Sequence, residues 1–153
     1  ALGLETLKDL AGPAPRLSIG GDYEFFGRPE WKKIRGTYGL GFREQRSMDS
    51  SLMYEAVRSG AVDVISAFTT DGRIAAFDLV LLKDERGAIP PYDAIVLASR
   101  RLTREHPELI RSLRSLEGRI DADRMRRMNL AVDRDRRAPR EVAADFLAAS
   151  GAE

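Results

Sequence analysis

Few residues of this chain have both the type and the spacing to do chemistry, and most of them are aromatic. The stretch Gly20-Gly-Asp-Tyr-Glu-Phe-Phe-Gly-Arg28 places Tyr23, Phe25 and Phe26 within four positions, followed by an arginine. Aromatic faces attract quaternary ammonium groups through the ring quadrupole, at roughly 0.5–2 kcal/mol per contact depending on desolvation. The Arg28 guanidinium is a planar fork that matches a carboxylate. The two glycines let backbone approach a ligand closely. The plainer reading keeps Phe25 and Phe26 as packing beneath the loop and Arg28 in solvent. The stretch lacks dinucleotide-fingerprint spacing and a phosphate-loop Gly-Lys-Ser/Thr.

Two further stretches have similar potential. Phe68-Thr-Thr-Asp-Gly72 closes the most apolar run of the chain, and Tyr92 follows Pro90-Pro91, which stiffen its approach. Thr70 and Asp71 suit the cap of a following helix, whose free N–H groups can hold an anion; capping by itself explains both residues. Tyr92 reads equally as an ordinary strand-start tyrosine. Seven arginines between Arg124 and Arg140 suggest nucleic acid at first sight. Asp121, Asp123, Asp133, Asp135 and Glu141 are interleaved with them, the pattern of a solvated helix face.

The elements that must position these residues alternate strand and helix. Helical spacing or capping signals predict helices over 4–11 (Thr6 as cap), 30–38, 51–59 (Asp49 or Ser50 as cap), 72–77, 107–117, 121–132 and 139–149. Pro107 and Pro139 fall at first-turn positions, where a missing N–H is harmless. Apolar runs predict strands over 16–20, 42–46, 62–68, 79–82 and 92–98. This is an α/β pattern: a mainly parallel sheet over 1–100, followed by C-terminal helices over 101–153.

Composition narrows the function further. The chain has 153 residues, which fits one domain, and 43% are hydrophobic, which supports a core. Lys plus Arg number 25 against 24 Asp plus Glu, a balance that disfavours a dedicated polyanion binder. There is no cysteine, and His106 is the single histidine. Multi-histidine and cysteine-ligated metal sites are thereby excluded, and no cofactor is implied. An enzyme would need clustered catalytic groups, and the carboxylates are scattered. No apolar run approaches the ~20 residues that span a bilayer, and no signal peptide is visible at the start.

Taken in order, several stretches resemble one family. They include Leu7-Lys-Asp-Leu10, Gly21-Asp-Tyr-Glu-Phe-Phe-Gly-Arg28, Tyr38-Gly-Leu-Gly-Phe42, Met48-Asp-Ser-Ser-Leu-Met-Tyr-Glu-Ala56, Thr69-Thr-Asp-Gly-Arg-Ile74, Pro90-Pro-Tyr-Asp-Ala94 and His106-Pro-Glu-Leu109. The family is that of osmoprotectant-type substrate-binding proteins of ABC importers, which take glycine betaine, choline or carnitine. The resemblance implies a type II periplasmic-binding-protein fold with two lobes that close on ligand by hinge motion. It implies Arg28 as a carboxylate binder and Tyr92 as a ring of an ammonium cage. Phe68 stands where the family usually has a cage tyrosine, Thr70 and Asp71 at the cleft edge, and Tyr23 is a weaker candidate.

The implied partners are a small organic cation or zwitterion and an ABC permease with its ATPase, with no nucleic acid. The implied location is periplasmic or extracytoplasmic, at the membrane through the transporter. The chain departs from the family pattern in three places. The opening lobe has no counterpart here, so the chain corresponds to the second lobe plus the returning C-terminal segment, with a hinge strand near 90–99. Phe68 lacks the tyrosine hydroxyl. Pro29-Glu-Trp31 replaces a longer Asp-Gly turn. Without the first lobe, apolar faces such as Leu109/Leu113/Leu116 and Val142/Phe146 are expected to be exposed and to promote self-association or rearrangement of the tail. The effector-sensing domain of a transcription regulator and a non-binding fragment are the alternative readings.

Overall fold

The computed structural model describes residues 2–150. Compact packing divides the chain into two units. One comprises residues up to 68 together with 77–91; the other comprises 69–76 and everything from 92 onward.

The first unit is organised around strand β1 (Ser18–Gly21), all four residues of which are buried. It lies centrally in a three-stranded parallel sheet, flanked by β2 (Glu44–Ser47) and β3 (Val64–Ile65). Helix α1 (Leu7–Leu10) precedes it, closed by a capping box in which Thr6 and Asp9 answer each other's backbone. Helix α2 (Pro29–Tyr38) starts on a proline and stops at Gly39, whose φ of 67° is left-handed. The i, i+3, i+7 residues Trp31, Ile34 and Tyr38 are its buried face. They join Leu10, Ala14, Ile19, Leu40 and Ala88 in one core. Helix α3 (Ser50–Arg58) takes Asp49 as its cap, the side chain accepting from Ser51 N–H at 2.8 Å.

A part-buried polar clasp between Ser18 and the more exposed Asp63 fixes the β1–β3 pairing. Ser18 is 3% exposed. Its N–H and its hydroxyl both donate to one Asp63 carboxylate oxygen, each at 2.8 Å. The Asp63 N–H returns a bond to the Ser18 carbonyl at 3.1 Å. Donation from the Ser18 backbone and then from its hydroxyl holds the Asp63 carboxyl below its ordinary value of 3.8.

The second unit is helical: α4 (Gly72–Ala76), α5 (Arg100–Glu105), α6 (Pro107–Arg114), α7 (Ala122–Asp133) and α8 (Pro139–Ser150). Helix α5 is absent from the sequence expectations; Ser99 caps it, its hydroxyl accepting from Leu102 N–H at 3.1 Å. Helices α4 and α7 meet backbone to backbone. A Cβ on Gly72 would lie 2.5 Å from the Leu130 nitrogen, so only glycine fits. Asn129 and Arg126 of α7 donate to the carbonyls of Thr70 and Thr69, both at 2.7 Å. These contacts draw residues 69–76 into the unit of the C-terminal helices.

Three predicted strands differ from the structure. The run 62–68 pairs only at Val64–Ile65, and one more bond, Ser66 N–H to Gly20 carbonyl at 3.0 Å, closes the ladder. Leu79–Leu82 forms no strand; the sole pairing nearby is an isolated bridge between Thr6 and Lys83. Tyr92–Ala98 also forms no strand, and Ile95, Val96 and Leu97 are 75%, 74% and 87% exposed. A β-prone run becomes a strand only beside a neighbour that accepts its hydrogen bonds, and among the described residues neither run has one. The expected exposure of Val142 is also corrected: it is 7% exposed, whereas Leu109 is 43% exposed as anticipated.

The clasp yields a pH prediction. A carboxyl depressed in the folded state adds stability that is complete above its unfolded pKa and is lost as pH falls through the lower folded value. Asp63→Asn should therefore cost roughly 1 kcal/mol near neutrality, after discounting for solvent exposure. It should also flatten the loss of stability below the ordinary value of 3.8. Urea unfolding of both proteins across that range measures this; parallel pH profiles would remove Asp63 from the account.

Candidate functional site

The aromatic loop owes its shape to Asp22. Its carboxylate accepts the N–H groups of Glu24 and Phe25, both at 2.8 Å, and starts a single 3-10 turn over Phe25–Gly27. That turn sends Phe25 and Phe26 inward. Their ring centroids lie 5.3 Å and 5.5 Å from Trp31, which in turn lies 6.1 Å from Phe42. Gly21 makes room for them, since a Cβ there would sit 2.7 Å from Phe25. The packing reading of Phe25 and Phe26 is therefore the one the structure follows. Of the three aromatics in the loop, Tyr23 remains outside, 73% exposed.

Arg28 is at the end of the same loop, its side chain 44% exposed, and donates to Glu24 at 2.8 Å across an i, i+4 spacing. Hydrogen bonding by Glu24 raises its already high pKa further. The guanidinium is thus charged and already turned toward a carboxylate of its own loop. An incoming carboxylate must share it or displace Glu24. Phe68, where the chain leaves the first unit, is 73% exposed.

The remaining candidates belong to the second unit. Asp71 caps α4: its carboxylate accepts the Arg73 N–H at 2.9 Å and the Arg73 guanidinium at 2.8 and 3.0 Å. The capping reading of Asp71 therefore holds. The Thr70 carbonyl is taken by Asn129. Tyr92, at the start of the long C-terminal stretch, is 70% exposed. Tyr23, Arg28 and Phe68 accordingly share the first unit, while Thr70, Asp71 and Tyr92 share the second.

Four contributors escape the sequence reading: Glu24 as the Arg28 partner, Trp31 as hub of the ring cluster, and Asn129 with Arg126 as anchors of the Thr69–Thr70 turn. The i, i+4 spacing of Glu24 and Arg28 is a legible signal for the first; nothing in the sequence marks the Asn129 contact. His106 lies between α5 and α6, its Nδ1 3.3 Å from Glu108. Among the described residues no group of three or more His, Cys, Asp or Glu side chains is placed to hold a metal. Nor is any helix among them long and apolar enough to cross a membrane. The chemistry these residues offer is recognition: ring faces for a cation and a guanidinium for an anion.

Comparison with known proteins agrees with that chemistry. The family model for the substrate binding domain of the ABC-type glycine betaine transport system matches residues 1–149. A carnitine transport binding protein of Listeria monocytogenes is 33% identical over 146 residues, covering 94% of this chain and 47% of its own length. An ergothioneine transport permease/ergothioneine binding protein of Helicobacter pylori is 32% identical over 145 residues, covering 94% of this chain and 26% of its own. A crystal structure of a glycine betaine/carnitine/choline ABC transporter superposes with a TM-score of 0.88 at 36% identity, over 98% of this chain and 56% of that one. The fold of this chain is thus that of periplasmic-binding-protein-like transporter proteins. The chain spans between a quarter and about half the length of these curated relatives.

Proposed function

This chain belongs to the family of substrate-binding domains of ABC-type glycine betaine transport systems, and from that premise we propose that it serves as the solute-binding component of an importer for a quaternary-ammonium compound. Carnitine, glycine betaine, choline and ergothioneine all carry a quaternary ammonium, and all but choline carry a carboxylate as well. The observation that carries the reading is the solvent-facing set of aromatic rings: Tyr23, Phe68 and Tyr92 are each at least 70% exposed, while Trp31 and Tyr38 are buried. A large ring in water gains nothing from burial and is available to a ligand.

In this reading Phe68 and Tyr92 present faces to the ammonium, and Tyr23 adds a third. Arg28, released from Glu24, holds the carboxylate. Thr70 and Asp71 shape the edge of the aromatic cleft. Residues 1–100 act as a ligand-binding lobe, the segment near 90–99 as a hinge, and 101–153 as the C-terminal helical segment. The site works outside the cytoplasm, with a permease and its ATPase, and is held at the membrane through them. The family binds solutes and is not catalytic, in keeping with the scattered titratable groups.

Calorimetry of the complete gene product with choline, glycine betaine, carnitine and ergothioneine tests the proposal. At least one should bind, and Tyr92→Ala or Phe68→Leu should weaken it roughly 2- to 30-fold, the range set by one cation–π contact. Phe68→Tyr should preserve affinity. Absence of binding by all four compounds, or unchanged affinity in Tyr92→Ala, would refute the cage.

Exposed Ile95, Val96 and Leu97 support a second element of the proposal, self-association of this chain when studied by itself. Sedimentation equilibrium should show a concentration-dependent dimer or larger species. A monodisperse monomer across the micromolar range counts against it.

A further inference from the structure

The turn that carries Thr70 and Asp71 has little to hold it locally. The ladder of β3 gives its last hydrogen bond at Ser66, and α4 begins only at Gly72. Among the described residues no strand flanks the turn between them. What orders it comes from α7, more than fifty residues further along the chain.

Arg126 and Asn129 stand three residues apart on α7, one above the other on the same face. Arg126 donates to the Thr69 carbonyl and Asn129 to the Thr70 carbonyl, each at 2.7 Å. The Arg126 guanidinium is itself steadied by Asp123, and its side chain is only 18% exposed. Next in sequence, Gly72 lies against the backbone of α7, where a Cβ would come 2.5 Å from the Leu130 nitrogen and 2.7 Å from its Cα. Between these contacts Asp71 accepts the N–H and the guanidinium of Arg73. Four consecutive residues are thereby fixed: Thr69, Thr70 and Gly72 by α7, and Asp71 by Arg73. Close packing of α4 on α7 requires only the approach at Gly72. The two carbonyl bonds go instead to residues ahead of the helix, the turn assigned to the cleft edge.

We propose that Arg126 and Asn129 are positioning residues of the solute site: they order the Thr69–Asp71 turn in advance, and solute affinity depends on them although neither touches solute. This inference rests on the reading of Thr70 and Asp71 as the edge of that site. A turn that had to order as the solute arrives would lose affinity to that ordering, and a turn already held by α7 does not.

Calorimetry with choline, glycine betaine, carnitine and ergothioneine, paired with hydrogen-exchange mass spectrometry of the ligand-free protein, tests this on the complete gene product. Asn129→Leu keeps a similar volume without a donor. It should speed amide exchange over residues 69–74 and weaken the tightest-bound of the four compounds roughly 2- to 12-fold, the range of one lost hydrogen bond. Arg126→Met should do the same, and it supplies the test if Asn129→Leu fails to fold. Arg126→Lys keeps a donor and should hold affinity within about two-fold of the wild type. Val142→Ala opens a cavity on α8 without removing a bond to the turn. It should lower the melting temperature and leave both exchange over 69–74 and affinity in place, which separates positioning from general stability. Unchanged exchange in Asn129→Leu and Arg126→Met, faster exchange with unchanged affinity, or a loss of affinity that Val142→Ala reproduces would overturn this inference and leave the solute-binding reading standing. If the wild type binds none of the four compounds, that reading fails and this inference with it.

Discussion

The Ser18–Asp63 clasp is the contact on which the first unit depends. A parallel sheet has no hairpin to set its register, and each neighbour of β1 arrives by a crossover. The pairing of β1 with β3 amounts to two residues. The clasp supplements that short ladder with a doubly donated carboxylate and a returned backbone bond. With β1 held, Ile19 enters the core beneath Trp31, Ile34 and Tyr38, and its carboxyl end is delivered to the aromatic loop. Gly20 and Gly21 lie at that end because side chains already occupy the space a Cβ would need, Met48 at 3.1 Å in one case and Phe25 at 2.7 Å in the other.

Local rules made much of the fold legible. Thr6, Asp49, Pro107 and Pro139 each mark a helix end through a hydrogen bond or a harmless missing N–H, and such signals act within one turn of chain. Strands obey a non-local rule, and there the reading and the structure part. Leu79–Leu82 and Tyr92–Ala98 have the composition of strands without a described neighbour to pair with; Val80, Ile95, Val96 and Leu97 remain in solvent, while Leu82 packs against the core without joining the sheet. The same distinction governs the site. The residue types at Tyr23, Arg28, Phe68 and Tyr92 are visible in the sequence, and so is the cap at Asp71. Their engagements are not: Phe25 and Phe26 turn in because Trp31 lies beneath them, and Thr70 is held from 59 residues away by Asn129.

The functional reading combines a family with a particular set of exposed groups. Membership fixes the class of protein, a substrate-binding domain of a transport system. The relatives it matches are two to four times longer than the matched region, and they carry names of different but chemically related solutes. What distinguishes this chain is the balance it strikes among its aromatics. Trp31, Phe25, Phe26 and Phe42 are spent on one internal cluster, leaving Tyr23, Phe68 and Tyr92 to meet solvent. Its basic groups are also committed within the chain: Arg28 to Glu24, Arg124 to Asp121 and Arg137 to Asp145.

A crystal structure of the complete gene product with a bound quaternary-ammonium solute would test the central claim most directly. The account places the ammonium within about 6 Å of the ring centroids of both Phe68 and Tyr92, with the carboxylate of a zwitterionic ligand on Arg28 in place of Glu24. A solute bound with neither ring in contact, and with the Arg28–Glu24 pair undisturbed, would contradict it.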